Sequence, residues 1–562
     1  MALTILNFKR VYISKIKYQI NTNTSKNLLL DYFGIMITFW YINNLDSLIR
    51  LKISLIMKKK GRKMKIRQFT AGLFVSVSLF TSSNAATLDV AVDSSPAGLD
   101  PHLVTAFASV IVIGDTIYEG LTTISEDLSV KSGLAKSWEI SQDGLSYTFN
   151  LYDGVKFHDG TSMDSEDVAS SLRRVLNEEM GSPLASRISP ITDIKILNKK
   201  TIQLKLDAPF APILTSLAGI AIVPSELETD KEKLQQVPIG TGPFKFAEWI
   251  PNSHISLQAF KDYREDGLPK IDGVKFNIVP EAATRQVGLK SGQYDLLPGV
   301  DPATALQLKM ASNVTLHETR DLSYTLIGIN TTRAPFDNAD VRRAFNMAIN
   351  RDEIIASALY GNGVPAGPLS PALKTWALNT ASFECYSGNA ESAMKLLASS
   401  GVTTPIKAEL LVLPRQDAKD IAQVIQQQAK KAGFEIELVN KEIGAFVQDW
   451  RNSDFDLFAS ANGGNPDPDG YFYRTFYGGG STNVFKYNDN EINSLLDDGR
   501  TSSDLDARKT AYDAVQAKLA CEGPVAHIAY SNLSTAVNNT VSGFVINPNR
   551  RLSTLKTIEL TD

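Results

Sequence analysis

The sequence is poor in the residues that carry most enzymatic and metal chemistry. Its 562 residues include two cysteines and five histidines. The histidines (His102, His158, His254, His317 and His527) lie far apart, so the helical zinc pattern of two His at i and i+4 is missing. No cysteine pair has zinc spacing. No G-x-S-x-G turn presents a serine, and no G-x-x-x-x-G-K-[ST] loop cradles a phosphate. GTGPF at 240–244 has two glycines, but proline follows at once and no helix start does. Serine triads assemble from distant residues, so these absences weaken an exported hydrolase without excluding it. Internal repeats and long low-complexity tracts are also lacking. Beyond residue 85 no apolar run approaches the ~20 residues that span a bilayer.

Positive charge is scarce once the N-terminus is set aside. MKKKGRKMKIRQFTAGLFVSVSLFTSSNAA begins at Met57, with a basic block, an apolar run at 69–80 and small residues at Ser83 and Ala85. This is the three-part pattern of a secretory signal. Residues 1–56 lie in front of it, which is unusual. The expectation is that translation starts at Met57 or Met64, that 1–56 is upstream sequence read in frame, and that 57–85 is a signal peptide. Removing 1–85 takes away fourteen of the 57 basic residues and two of the 61 acids, which moves the formal net charge from −4 to −16. An acidic exported chain is a poor candidate for nucleic-acid binding. Cys385 and Cys521 can pair in an oxidising compartment or stay as two thiols, because sequence gives no distance between them. Neither lies at the processed terminus, so no lipid anchor is indicated.

What is present reads as globular α/β. At 43% apolar and 21% charged, the chain is long enough for two or more domains. Alternation around an Asp143-Gly144 turn predicts a hairpin over 138–151, and a second hairpin is predicted over 191–206. A helix is expected over 164–176, capped by Asp164 with Asp167 three residues on. Further helices are expected at 337–349, 417–432 and 505–520. The helix at 417–432 stops at Gly433 and lies between AELLVL and FEIELV, a strand–helix–strand unit of the kind that builds parallel sheet.

GGNPDPDGYFYRTFYGGGSTN, residues 463–483, is the oddest stretch. Six glycines, two prolines and five aromatic rings share it. At that density the expectation is a loop outside regular structure. Asp467 and Asp469 are a carboxylate pair or hard-cation ligands by type, but the other oxygens and closing glutamate of a calcium loop are absent. The rings either pack the fold or line a ligand wall.

Six segments then occur in order: LDPH (99–102), IYEGLT (117–122), GLAKSWEISQDGLSYTFNLYDGVKFHDGTSMDSEDV (133–168), PIGTGPFKFAEW (238–249), FDNADVRRAFNMAINRDEII (336–355) and NPDPDGYFY (465–473). Together they make 86–562 resemble the periplasmic peptide-binding proteins of ABC importers, extracellular solute-binding family 5. The resemblance implies a bilobal α/β fold of the large three-subdomain type with two hinge crossings. Lobe I is expected at 86–315 with an inserted small subdomain, lobe II at 316–529, and a return to lobe I at 530–562. It also implies a periplasmic monomer without cofactor that closes on a peptide or peptide-like solute. Delivery would be to inner-membrane permease subunits served by separate ATPase chains. Thr105, Phe107, Ser109 and Tyr118 are the candidate lining residues of the first lobe. Gly463, Gly464, Asp467 and Tyr471 are candidates in the second, with Arg415 for a ligand carboxylate. Glycines let a backbone approach closely, and aromatic rings offer area with little rotamer entropy to lose. Many relatives carry an aspartate for the ligand's ammonium where this chain has Gly464. That departure keeps open an opine, an oligosaccharide, haem or a nickel chelate as the guest.

Overall fold

A computed structural model describes residues 86–561. The expected upstream segment and signal peptide, 1–85, lie outside the described residues.

Two mixed sheets organise the chain. The first has seven strands in the order Val314–Arg320, Asn532–Asn538, Leu296–Leu297, Thr87–Val92, Gly273–Ile278, His254–Ala259, Phe244–Ile250. Thr87–Val92 runs parallel to Gly273–Ile278 and Leu296–Leu297, and the other pairs are antiparallel. The second has six, in the order Val364–Pro365, Val525–Tyr530, Tyr324–Ile329, Leu457–Asn462, Ile406–Val412, Phe434–Asn440. Its AELLVL and FEIELV strands pair in parallel across helix Gln416–Lys431, as the strand–helix–strand pattern predicts. Both faces of this sheet are covered. Ile327, Leu410 and Ala459 point into one apolar cluster, while Leu326, Leu411 and Phe458 point into the other. Continuous apolar runs follow from this double burial.

A four-stranded antiparallel sheet is inserted in the first lobe: Ala135–Ile140, Ser146–Leu151, Thr201–Leu206, Ile191–Asn198. Both expected hairpins are here. Trp138 stands opposite Phe149 with ring centroids 6.4 Å apart, and Gly144 turns with φ 70°. Helix Ser165–Leu176 packs on this sheet. Asp164 and Asp167 form its reciprocal capping box, so two otherwise orphaned N–H groups are satisfied.

The strand Val314–Arg320 belongs to the first sheet and Tyr324–Ile329 to the second, so the chain passes between sheets at 321–323, a few residues later than 316. It returns at Ser531. The two crossings touch: the Asp321 N–H donates to the Ser531 carbonyl at 3.2 Å. Residues 541–560 then pack against the first lobe's core through Phe544, Leu552, Leu555 and Ile558.

Cys385 and Cys521 are joined in a disulfide, with Cα atoms 5.7 Å apart. It ties a 3-10 turn, Glu384–Ser387, to the end of helix Leu505–Glu522 in the second lobe.

The stretch 463–483 corrects the loop expectation. Pro468–Phe476 is a helix. Asp467 caps it by accepting from the Asp469 N–H at 2.9 Å, Pro468 takes the first turn, and Asp469 meets the positive end of the helix dipole. The glycines mostly flank this helix, and the Asp-Pro-Asp run is a start signal rather than a breaker.

Candidate functional site

Between the two sheets lies a cleft of about 1470 Å³ whose walls come from both lobes. Drug-sized sites usually measure ~300–1,000 Å³, so this one has room for an extended guest. The first-lobe wall includes Thr105, Phe107, Arg187 and Gly219, and the second-lobe wall Arg415, Gly463, Gly464 and Arg474. The lobes also meet at a rim, where the Ala211 N–H donates to the Arg500 carbonyl at 3.0 Å and the Arg500 guanidinium lies 5.3 Å from the Phe210 ring.

Thr105 and Phe107 stand exposed in the wall. Phe107 lies under the guanidinium of Arg550, which pairs with Asp321 at the first crossing. Tyr118 reaches the wall with its ring buried and its hydroxyl 3.4 Å from the Leu99 carbonyl. Ser109 does not line the cleft. It is fully buried, and its hydroxyl accepts from the Ala97 N–H at 3.1 Å.

Gly463 and Gly464 line the second wall. A Cβ on Gly464 would fall 2.1 Å from the Leu322 carbonyl oxygen and 2.3 Å from the Tyr471 hydroxyl. The backbone here runs against the first crossing, and no side chain fits, a carboxylate included. Tyr471 explains the close approach: its hydroxyl donates to the Leu322 carbonyl at 2.5 Å while the ring is buried. Tyr471 therefore braces the crossing and is not a wall residue. Asp467 is also removed from the cleft, because Arg508 holds both its carboxylate oxygens, at 2.8 and 3.0 Å. Arg415 does line the cleft, but its fork is engaged by Asp417 two residues on.

The aromatic wall is narrower than the sequence implies. Phe472 and Phe476 are buried. Tyr473 borders the cleft with both faces taken: Tyr477 stacks on it at 4.2 Å and the Arg500 guanidinium lies 3.0 Å from its centroid. Arg500 in turn clamps Asp469 bidentately at 2.8 and 2.9 Å, and burial still pushes the Asp469 carboxyl above its usual range. Glycine backbone at 463–464 and 479–480 forms part of the second wall instead, and guanidinium groups enter an otherwise mixed cleft from both lobes. Arg187, Arg474, Arg500, Arg550 and Arg551 were not singled out from the sequence. They come from four separate regions, and only Arg474, inside the 463–483 stretch, sat next to any signal.

His102 and His527 are buried within the scaffold. His102 Nε2 donates to the Ala221 carbonyl at 2.8 Å, and Nδ1 accepts from Arg174 at 2.9 Å, a tautomer fixed because guanidinium only donates and carbonyl only accepts. Arg174 and Asp100 complete this wholly buried network at 2.6 and 3.0 Å. Burial lowers His102 to about 4 and His527 to about 3. A Ser–His–acid chain does occur at Ser253, His254 and Glu248, each link 3.0 Å, but it lies on a hairpin and none of the three lines the cleft. Among the described residues no group of three His, Cys, Asp or Glu could hold a metal ion, and no helix is long and apolar enough to cross a membrane.

A cleft walled by two sheet-based lobes defines a bilobal architecture. The family description "bacterial extracellular solute-binding proteins, family 5 Middle" matches residues 129–483. The chain belongs to that family. The dipeptide-binding protein of Escherichia coli (strain K12) is 29% identical over 514 residues, which covers 84% of this chain and 95% of that protein. The binding protein AgaA from A.tumefacien R10, solved in complex with agropinic acid, matches with a TM-score of 0.72 at 27% identity, over 85% of this chain and 99% of that one. The oligopeptide-binding protein AppA from Bacillus subtilis, solved with a nonapeptide, matches with a TM-score of 0.74 at 25% identity, over 85% and 99%.

Proposed function

We propose that this chain is the periplasmic receptor of an ABC importer, that it captures a peptide or peptide-like solute between its lobes, and that it hands the solute unaltered to an inner-membrane permease. Residues 57–85 direct export, the mature chain is a monomer, and the hinge lies at 321–323 and 531. The observation that carries this reading is the cleft itself. Its walls come from both lobes, so a guest touching both favours the closed form by its differential contacts. Glycine backbone at 463–464 supports recognition of an extended main chain by hydrogen bonding, whatever its side chains. The test is incubation with a peptide library, read by melting temperature and by mass spectrometry. Stabilisation with every peptide recovered intact supports the receptor, and fragments would instead support the hydrolase reading.

Gly464 favours a second reading of the cargo. With no carboxylate for a ligand ammonium at this position, an amine-blocked or opine-like conjugate fits the second wall at least as well as a free-amine peptide. Acetylated and free forms of one peptide distinguish the two: preference for the acetylated form supports the blocked guest.

A further inference from the structure

Three arginines converge on the cleft from different parts of the chain. Arg187 ends the 3-10 turn Ala185–Arg187 of the inserted subdomain, Arg551 belongs to the C-terminal return, and Arg474 lies on helix Pro468–Phe476 of the opposite lobe. One carboxylate answers them: Arg551 Nη1 donates to Asp115 at 2.9 Å. Arg474 donates only to neutral oxygens, the Asn462 side chain at 3.2 Å and the Gly463 carbonyl at 2.8 Å, and its buried Nε has no partner. The Arg187 side chain makes no hydrogen bond or ion pair among the described residues. Space is left for it, since a Cβ on Gly219 would come 3.2 Å from its Nη1.

The other acids of the cleft are engaged elsewhere. Asp321 is held by Arg550, Asp469 by Arg500 and Glu119 by Arg264. Asp301 caps a helix at the Thr304 N–H, and Asp420 accepts from Gln416. Arg187 reaches water through the cleft yet is ringed by protein at wider radius. That surrounding, with the charges of Arg474 and Arg551, lowers its affinity for its proton to a pKa of about 10. Uncompensated like charges facing each other across two lobes oppose closure, and a guanidinium fork is suited to carboxylate or phosphate.

We propose that the guest carries at least two negative charges, seated between Arg187 and Arg551 on one wall and Arg474 on the other, and that this anion is what allows the lobes to close. The proposal rests on the solute-receptor reading and narrows its cargo to acidic solutes.

The test uses mature protein stripped of co-purified solute and three probes: the dipeptide Ala-Glu, its neutral isostere Ala-Gln, and glutarate, which has two carboxylates and no peptide. Affinities are measured by calorimetry for the wild type, Arg187→Gln, Arg187→Lys and Arg474→Gln. The expected result is that Ala-Glu binds at least about 10-fold more tightly than Ala-Gln, in line with charge-assisted hydrogen bonds. That preference should vanish in both Gln variants, and Arg187→Lys should keep part of it. Because Arg187 has no partner, Arg187→Gln without ligand should melt no lower than the wild type, which separates lost binding from lost folding. Equal affinity for Ala-Glu and Ala-Gln overturns the acidic-cargo inference and leaves the peptide receptor standing. Glutarate binding that depends on Arg187, without peptide binding, supports the inference and removes the peptide reading. Failure of all three probes overturns both.

Discussion

Arg508 Nη2 lies 2.8 and 3.0 Å from the two carboxylate oxygens of Asp467, both side chains almost fully buried, and the same Asp467 caps helix Pro468–Phe476. One aspartate thus starts the helix that carries Arg474 and Tyr473 to the cleft, and anchors it to helix Leu505–Glu522. Asp467→Ala leaves a buried guanidinium without its counter-charge, and such losses cost about 3–5 kcal/mol. The unfolding free energy should fall by that amount in chemical denaturation. The fraction that remains folded should bind ligand within a few-fold of the wild type, because Asp467 does not face the cleft.

Gly464 is fixed by contact rather than by backbone conformation. Gly464→Ala places a methyl against the Leu322 carbonyl and the Tyr471 hydroxyl, and the Tyr471–Leu322 hydrogen bond must shift to admit it. The expected loss is about 1–3 kcal/mol, read as a lower melting temperature. Gly464→Asp should be destabilised further and should gain no affinity for free-amine peptides. A gain would show that the second wall can remodel.

The disulfide closes a long loop within the second lobe, with a sequence separation of 136. Both cysteines are buried. Replacing both by serine should lower stability by about 2–5 kcal/mol, mainly by freeing the unfolded chain. Reduction of the wild type should have a similar effect on its melting temperature, and no effect on the double variant.

Three histidines contribute to the loss of stability in acid. Burial lowers His102 and His158 to about 4 and His527 to about 3. Each is neutral when folded and takes up a proton on unfolding below about pH 6.5. The unfolded state then binds more protons, so this contribution is complete above pH 6.5 and is lost as pH falls towards the folded values. The slope is up to about 1.4 kcal/mol per pH unit for each histidine. Denaturation between pH 6.5 and 5, above the carboxylate range, should show this decline. His527 has neither ring nitrogen bonded and packs 5.1 Å from Tyr324, so His527→Phe should make the decline shallower.

Local signals in the sequence were enough for the frame. The hairpin around Gly144, the capping box at Asp164 and Asp167, and the parallel pair flanking helix Gln416–Lys431 each depend on neighbours in the chain, and each is found where the pattern puts it. The helix at 468–476 is obscured in the sequence by the glycine content of its surroundings, although most of those glycines flank it. The cleft was less legible, because its charged surface is assembled from residues as distant as Arg187 and Arg551. Asp467 and Tyr471 sit within a motif segment and Ser109 between two of them, yet all three support the backbone. A motif marks where the chain is constrained, and buried braces are as constrained as walls.

The central claim is that one unaltered guest touches both walls of the cleft at once. Hydrogen–deuterium exchange of the protein purified from periplasm, before and after its solute is stripped, tests this most directly. The account predicts that stripping raises exchange together around 105–107 and 185–187 in the first lobe, around 463–474 in the second, and at the crossings 321–323 and 531. A change confined to one lobe, or lying outside the cleft, would contradict it.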